Sequence, residues 1–313
     1  MNVLVFGGNG FIGSHLVDEL LTSGYSVRVF DRFPEKFRPP LMGVDYRMGQ
    51  FGDAFSMAEA LQGVDIVYHL ISTTVPGTSN LNPVADINDN LVATVVLLDQ
   101  MVKMGVKRIV YLSSGGTVYG KPRIVPIPED HPLKPICSYG VVKVAIENYL
   151  EMYQELYGLC PTIIRPSNPF GPRQGHGGVQ GVIATFLAKI QHGETLTVWG
   201  DGSIVRDYVY VTDLVKLCVL AGVADCVGVF NAGYGKGTSL LEVIDLISDV
   251  TGRQIDVVYQ ASRAFDIREV VLDISKSEMS YGWRPKISFE QGIRCHWEWF
   301  VAQLSAAQAT HEV

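Results

Sequence analysis

The sequence predicts a doubly wound α/β fold, in which a parallel sheet carries helices on both faces, and three observations point there. Short β-branched runs alternate with helical apolar stripes from the first residues onward. The first run ends in a glycine-rich turn that opens a helix. The composition, 47% hydrophobic and 18% charged with 32 glycines, suits a buried parallel sheet with many tight connections. At 313 residues the chain can build one large core or two closely packed units.

Taken in order, "NVLVF" (2–6) is a strand, "FIGSHLVDELLTSG" (11–24) a helix stopped by Gly24, and "SVRVFD" (26–31) a second strand. The pattern repeats with strand 44–48, helix 54–61, strand 65–70, helix 88–105, strand 107–114, helix 138–158 and strand 161–166. The connection 122–135 holds five prolines and reads as a loop, because proline neither donates to a ladder nor fits a helix interior. Residues 1–167 are therefore expected to form the first domain. Beyond them the rhythm loosens into a smaller C-terminal α/β lobe over 168–313: a glycine-rich loop at 168–181, helix 182–192, strands 195–199 and 204–210, and helices 212–222, 239–251 and 289–304. Some of these segments are expected to return to the first domain, and the tail "SAAQATHEV" is expected to fray.

Charge and cysteine usage narrow the function classes. With 25 Lys and Arg against 32 Asp and Glu, the net charge of −7 repels a phosphate backbone and an anionic bilayer, so neither nucleic acid nor a membrane is an expected partner. The opening "MNVLVFGG" has no basic leader, and no window reaches the roughly 20 apolar residues of a spanning helix, which points to a cytoplasmic protein. Cysteines 137, 160, 218, 226 and 295 are scattered without CxxC spacing and read as reduced thiols, and no metal site is expected. His15, His69, His131, His176 and His192 lack a paired ligand and read as packing or surface residues. Helices 88–105 and 138–158 are apolar on nearly every face, so each needs a second cover, either a homodimer partner or the second lobe.

"GGNGFIG" (7–13) follows the first strand and opens the first helix. Gly7, Gly10 and Gly13 permit a tight turn and a close backbone approach, while the N–H groups around Phe11 and Ile12 face outward at a helix N-terminus, an arrangement that suits a pyrophosphate. Asp31 ends the next strand, where a carboxylate accepts from a ribose diol and repels a 2′-phosphate, favouring NAD over NADP. Arg32 is the residue that could pair with such a phosphate. At the other end of the site, Tyr139 and Lys143 in "SYGVVK" are spaced i, i+4 on one helical face. An ammonium beside a phenol favours the phenolate, which makes the pair an acid/base candidate, although the spacing also recurs by chance.

These motifs resemble the extended short-chain dehydrogenase/reductases of the NAD-dependent nucleotide-sugar epimerase/dehydratase family. The resemblance covers nearly the whole chain: the glycine turn, "NLVAT" (90–94), "SSGGTVYG" (113–120), Tyr139-x-x-x-Lys143, "RPSNPFGPRQ" (165–174), "GDGSIVRDYVYVTDL" (200–214), and "SRAFD" (262–266) before "DISKSEMSYGWRP". It implies a Rossmann-type domain holding NAD and a C-terminal lobe holding a nucleoside diphosphate sugar. Tyr139 would be the base, with Lys143 tuning it and binding the nicotinamide ribose. Gln50, Phe51, Leu70, Ile71, Asn90 and Pro166 would lie against the cofactor, Gln50 replacing the usual aspartate and Ile71 being bulkier than usual. Asn168, Arg206 and Arg263 would hold the diphosphate, Asp266 the nucleoside ribose, and Thr197 with Trp199 the base.

The family divides among epimerases, dehydratases, decarboxylases and reductases, all beginning with hydride removal at C4. Dehydratases place Thr-Asp-Glu before "VYG", since eliminating water needs an added acid and base; here the positions are Gly115, Gly116 and Thr117. The resemblance therefore implies redox-neutral epimerisation at C4 of a UDP-hexose or UDP-N-acetylhexosamine, with Val270 leaving room for an N-acetyl group. A dehydratase or other oxidoreductase of the family, C5 inversion, and a non-catalytic NAD-binding member are the alternatives. Where the family has a Ser or Thr that relays the C4 proton, this chain has Gly115, and Thr117 rather than Ser114 is expected to replace it.

Overall fold

The computed structural model describes residues 1–175, 181–225, 227–262 and 267–311, side chains being described to residue 305. The first half follows the alternation: β1 (Asn2–Phe6), α1 (Phe11–Thr22), β2 (Ser26–Asp31), β3 (Asp45–Met48), α2 (Ala54–Leu61), β4 (Ile66–His69), α3 (Pro83–Asp86), α4 (Ala93–Met104), β5 (Arg108–Leu112), α5 (Ser138–Tyr157) and β6 (Cys160–Pro166). The second half adds β7 (Asn168–Phe170), α6 (Val182–Gln191), β8 (Leu196–Trp199), β9 (Val205–Tyr210), α7 (Val211–Val223), β10 (Gly228–Ala232), β11 (Gly237–Ser239), α8 (Leu240–Thr251), β12 (Val257–Gln260), β13 (Glu269–Val270), α9 (Ser275–Tyr281) and α10 (Phe289–His311).

Seven parallel strands form the main sheet in the order β10-β6-β5-β4-β1-β2-β3. The order reverses between β1 and β4, the switch point beside which doubly wound sheets bind ligands at their carboxyl ends. One face is covered by α1 and α7 over Val3, Val5, Val29 and Tyr68, the other by α2, α4 and α5 over Leu4, Phe6, Val67 and Tyr111. The strands are buried on both faces, which is why they read as continuous apolar runs rather than as an alternation.

The second lobe is built on β9, paired with β7, β11 and β13, and on the parallel pair β8 and β12. Its core joins Phe170, Leu187, Val198, Tyr208, Tyr210, Ile247 and Ile293 from α6, α8, α10 and these strands.

Three differences from the sequence reading have physical causes. The helix expected from 88 begins at Pro83, because the Asn82 side chain accepts from Ala85 N–H (3.1 Å) and proline suits the first helical position. It then passes through a π turn, Ile87–Val92, before becoming α4. Strand β10 joins the edge of the first sheet; it was not anticipated because "GVFNA" is short and lies within the second half. The expected frayed tail is helical to His311.

A buried ion pair within the first half leads through Tyr119 to β10. Arg165 at the end of β6 donates to Glu147 of α5 through Nη2 (2.6 Å) and Nε (3.1 Å), and through Nη1 to the Tyr119 hydroxyl and the Glu129 carbonyl, each at 3.0 Å. The Tyr119 hydroxyl donates in turn to Asn231 Oδ1 of β10 (2.7 Å). Both charged side chains are nearly sealed from water, at 4% and 2% exposed. Arg165→Met is expected to lower the unfolding free energy by about 3–5 kcal/mol in urea titration, because it strands a buried carboxylate; the double variant with Glu147→Leu should recover much of that loss.

Candidate active site

Among the expected cofactor residues, the glycine turn, Asp31 and Leu70 with Ile71 lie at the carboxyl ends of β1, β2 and β4. Gly7 leaves β1 with φ +83°, and a β-carbon there would meet Ile71 at 3.2 Å. At Gly13 a β-carbon would stand 2.0 Å from the Gly7 carbonyl, so the first turn of α1 packs on the strand end only as glycine. Gly10 starts α1 without a side-chain cap. The N–H groups of Phe11, Ile12 and Gly13 are those a helix leaves without internal partners, and they are available to an anion.

The Asp31 carboxylate accepts from Asn9 N–H (3.1 Å) and Phe33 N–H (3.2 Å), which holds it over the turn. Asn9, Gly10, Asp31, Phe33, Pro34 and Lys36 line an open cavity of about 440 Å³. Arg32 is exposed, its guanidinium stacked on the Phe33 ring at 4.7 Å. Gln50 is exposed, whereas the Phe51 ring turns inward against His69 (5.0 Å) and Phe6 (5.8 Å). Leu70 and Ile71 continue from β4, with Leu70 N–H bonded to the Phe6 carbonyl (3.0 Å). Asn90, in the π turn, accepts from Thr73 N–H (2.9 Å) and donates to the Thr73 hydroxyl (2.9 Å), so it shapes the loop that follows Ile71. Pro166 closes β6, its carbonyl accepting from Gly115 N–H (2.8 Å). The uncapped helix start, the packed glycines and the poised carboxylate together fit a dinucleotide.

Tyr139 and Lys143 lie in the first two turns of α5, against the end of β5. Lys143 is 5% exposed; its Nζ donates to the Leu112 carbonyl (2.8 Å) and sits 4.8 Å from the Tyr111 ring centroid and 5.5 Å from that of Tyr139. Burial pulls the ammonium down to about 8, opposed by the Glu147 and Asp86 carboxylates. Burial pushes the Tyr139 phenol up to about 12, opposed by hydrogen bonding from the Ser114 and Ser72 hydroxyls. The phenol is thus a proton donor at neutral pH until positive charge or hydrogen bonds in the filled site bring it down.

The Ser114 hydroxyl meets the phenol. Thr117, favoured from the sequence, instead has its Oγ1 buried with no hydrogen-bond partner among the described residues. Leu272 explains the glycine between them: a β-carbon on Gly115 would stand 2.5 Å from Leu272 Cδ1 and 3.1 Å from the Arg165 and Pro166 carbonyls. The space of the absent side chain is filled from the second lobe. Gly116 has nothing within 4 Å of its β-carbon position.

On the substrate side, Asn168 of β7 donates to the Asp207 carbonyl of β9 (2.9 Å), and Arg206 on the same strand bonds the Val205 and Ile267 carbonyls, each at 2.8 Å. Thr197 and Trp199 alternate with the buried Leu196 and Val198 and so share the opposite face of β8, Trp199 being 40% exposed. Arg263 and Asp266 lie outside the described residues.

Residues missed from the sequence include Ser72 and Asp207. Asp207 accepts from Tyr234 N–H (2.7 Å), Leu272 N–H (3.2 Å) and Gly235 N–H (3.3 Å), and burial still raises it to about 6. Its place inside "RDYVYV" was the available signal.

His15, His131 and His192 are tied to backbone groups, and burial lowers His69 to about 3, so it is neutral; His176 and Cys226 lie outside the described residues. Cys137, Cys160, Cys218 and Cys295 are free thiols, and no metal-holding cluster occurs among the described residues. No described helix is long and apolar enough to cross a membrane.

Two outcomes follow from this geometry. Ser114→Ala should lower kcat by about tenfold or more, whereas Thr117→Val should leave it within about threefold, read by steady-state turnover. Gly115→Ser should cost about 1–3 kcal/mol of stability by overpacking against Leu272, with partial rescue by Leu272→Ala in thermal melts.

Comparison with known proteins places this geometry. The family model described as the NAD dependent epimerase/dehydratase family matches residues 3–233. The UDP-glucose 4-epimerase of Mycolicibacterium smegmatis is 36% identical over 313 residues, covering 96% of this chain and 98% of that protein. The crystal structure of UDP-glucose 4-epimerase from Thermotoga maritima with UDP-glucose matches with a TM-score of 0.93 and 37% identity, covering 97% of this chain and 100% of that one. The Thermus thermophilus UDP-glucose 4-epimerase in complex with NAD matches at 0.90 and 34% identity, covering 96% and 99%. The chain belongs to the NAD-dependent epimerase/dehydratase family.

Proposed function

We propose that the protein is an NAD-dependent epimerase that inverts C4 of a UDP-hexose or UDP-N-acetylhexosamine. The observation that carries this reading is the chemistry around the phenol: Tyr139 has the hydroxyls of Ser114 and Ser72 and the ammonium of Lys143 beside it, while positions 115–117 hold no carboxylate for eliminating water. NAD held there would supply a reversible hydride acceptor for the sugar carbon.

The protein's own residues do the rest. Gly10 to Gly13 bind the pyrophosphate at the start of α1, and the Asp31 carboxylate takes the adenosine ribose hydroxyls. Tyr139 accepts the C4 hydroxyl proton, relayed by Ser114, and Lys143 holds positive charge beside it. Asn168 and Arg206 bind the diphosphate, with Thr197 and Trp199 towards the base. Arg263 and Asp266 are assigned the remaining diphosphate and ribose contacts from the motif alone. Val270, 3% exposed, packs with Val118, Tyr119 and Leu272, and its small side chain keeps that wall of the sugar pocket low enough for an N-acetyl group.

We also propose a homodimer through α4 and α5. Val92, which ends the π turn leading into α4, and Val141, Met152 and Leu156 of α5 are 41–64% exposed, so the second lobe does not cover them. Sedimentation should give a dimer, and a monomer at working concentration overturns this reading.

Incubation with UDP-, GDP- and dTDP-sugars, read by NMR, should show UDP-glucose and UDP-galactose interconverting, and denatured protein should release NAD. A 4-keto-6-deoxy product, or no turnover of any sugar, overturns the assignment. Tyr139→Phe should retain NAD and lose about 10²–10⁴-fold in kcat. Lys143→Met should move the acid limb of the pH–rate profile to higher pH, because removing the ammonium destabilises the phenolate.

A further inference from the structure

Asp86 is fully buried at the end of α3, immediately before the π turn, and has no assigned part in the proposed reaction. Its Oδ1 accepts from the Thr74 hydroxyl (2.6 Å) and from Asn90 Nδ2 (3.0 Å), and its Oδ2 accepts from the Ser138 hydroxyl (2.7 Å). These partners come from three segments around the phenol. Thr74 lies in the loop after β4, Asn90 in the π turn, and Ser138 is the first residue of α5, directly before Tyr139.

We infer that Asp86 is a positioning residue, whose buried carboxylate locks the loop after β4, the π turn and the start of α5 into one unit that places Tyr139. The inference rests on the reading of Tyr139 as the base.

The geometry links Asp86 to the phenol twice. Through Ser138 it fixes the first turn of α5, a position supported by Ser138 N–H donating to Asn80 Oδ1 (2.8 Å). Through Thr74 it fixes the loop whose Ser72 hydroxyl faces the phenol, since Ser72 Oγ donates to the Thr74 carbonyl (3.1 Å). A hydroxyl has one proton to give. When Tyr139 ionises, Ser72 gives up its bond to the Thr74 carbonyl to turn that proton to the phenolate, and the Thr74–Asp86 bond then keeps the loop in place. The π turn contributes as well, since Asn90 Nδ2 within it reaches both the Asp86 side chain and the Asp86 carbonyl (3.1 Å).

A purely structural acceptor could be an amide. The charge adds something an amide does not, since its hydrogen-bond donors Thr74, Asn90 and Ser138 are neutral and its field reaches the site in low dielectric. The titratable and charged groups facing the phenol are Lys143 and Cys137 from α5 and its entry, Tyr111 from β5, and Asp86 from α3; Glu147 faces Tyr111 and Lys143 from one turn further along α5. After desolvation and hydrogen bonding, Asp86 opposes ionisation of Tyr139; behind burial and Glu147, it favours the Lys143 ammonium. It therefore keeps the proton on the phenol until positive charge arrives and keeps that charge on the lysine.

The test compares Asp86→Asn with the unaltered protein in two readouts. The first is the pH profile of kcat on the converted nucleotide sugar. The second needs no turnover: the tyrosinate absorbance of the protein against pH, taken as the signal missing from Tyr139→Phe. Asp86→Asn should lower kcat by about ten- to a hundredfold with KM within about threefold, as expected for a displaced reacting group. Both the acid limb and the tyrosinate midpoint should move to lower pH by about half a unit or more. A folded Asp86→Asn protein with unchanged kcat or an unmoved midpoint overturns the inference. Should that variant fail to fold, Ser138→Ala and Thr74→Val each remove one anchor and should each lower kcat by about threefold or more; full activity in both overturns it. If the unaltered protein converts no sugar, the proposed function falls, and the tyrosinate midpoint alone decides the role of Asp86.

Discussion

The chemical end of the site depends on how α5 is held. Tyr139, Lys143 and Glu147 stand at successive i, i+4 positions, a polar edge running down a helix that is otherwise packed on an apolar sheet. Such an edge can be buried only where each group finds a partner. Lys143 has the Leu112 carbonyl, Glu147 has Arg165 and the Ser113 hydroxyl, and Tyr139 has Ser114 and Ser72. All of these partners except Ser72 come from the ends of β5 and β6, so the polar satisfaction of one helix fixes its register on the sheet. A slip of α5 by one residue would leave a cation and a carboxylate in the core unpaired, at a cost comparable to the whole stability of a domain.

The two lobes meet through the same strand ends. Leu272 reaches over to fill the space above Gly115, and Asp207 gathers the backbone after β10 and β13. Contacts of this kind make the turn "SSGGTVYG" as much a part of the second lobe as of the first. The hydroxyl beside the phenol then comes from Ser114, because the next position has been taken by packing.

Much of this was legible in the sequence. The six strands of the first 167 residues and the helices α1, α2, α4 and α5 were readable because buried parallel strands are short apolar runs and their helices carry strong stripes, whereas α3 and the π turn before α4 were not; the glycine turn with Asp31 read as a dinucleotide end for steric and electrostatic reasons that need no tertiary context. What was not legible depended on long-range contact. The choice between Thr117 and Ser114 turns on Leu272, far along the chain, and nothing local announces that a leucine will occupy a glycine's space. Phe51 reads as a ring beside the adenine, and its packing against His69 and Phe6 is visible only in the folded chain. Asp86 was passed over because a lone carboxylate in a helical stripe is ordinarily a solvated one. Strand β10 escaped for a related reason: five residues carry too little periodicity to say which sheet they join.

That last strand has a further consequence. Because β10 pairs with β6 from beyond β7, β8 and β9, the chain leaves the nucleotide-binding sheet, builds part of the second lobe, returns to finish the sheet, and leaves again. The lobes are braided rather than joined end to end. A cut after residue 167 would expose the ladder of β6 as a raw edge open to another chain's strand. The chain therefore passes between the lobes several times, and no single cut separates them.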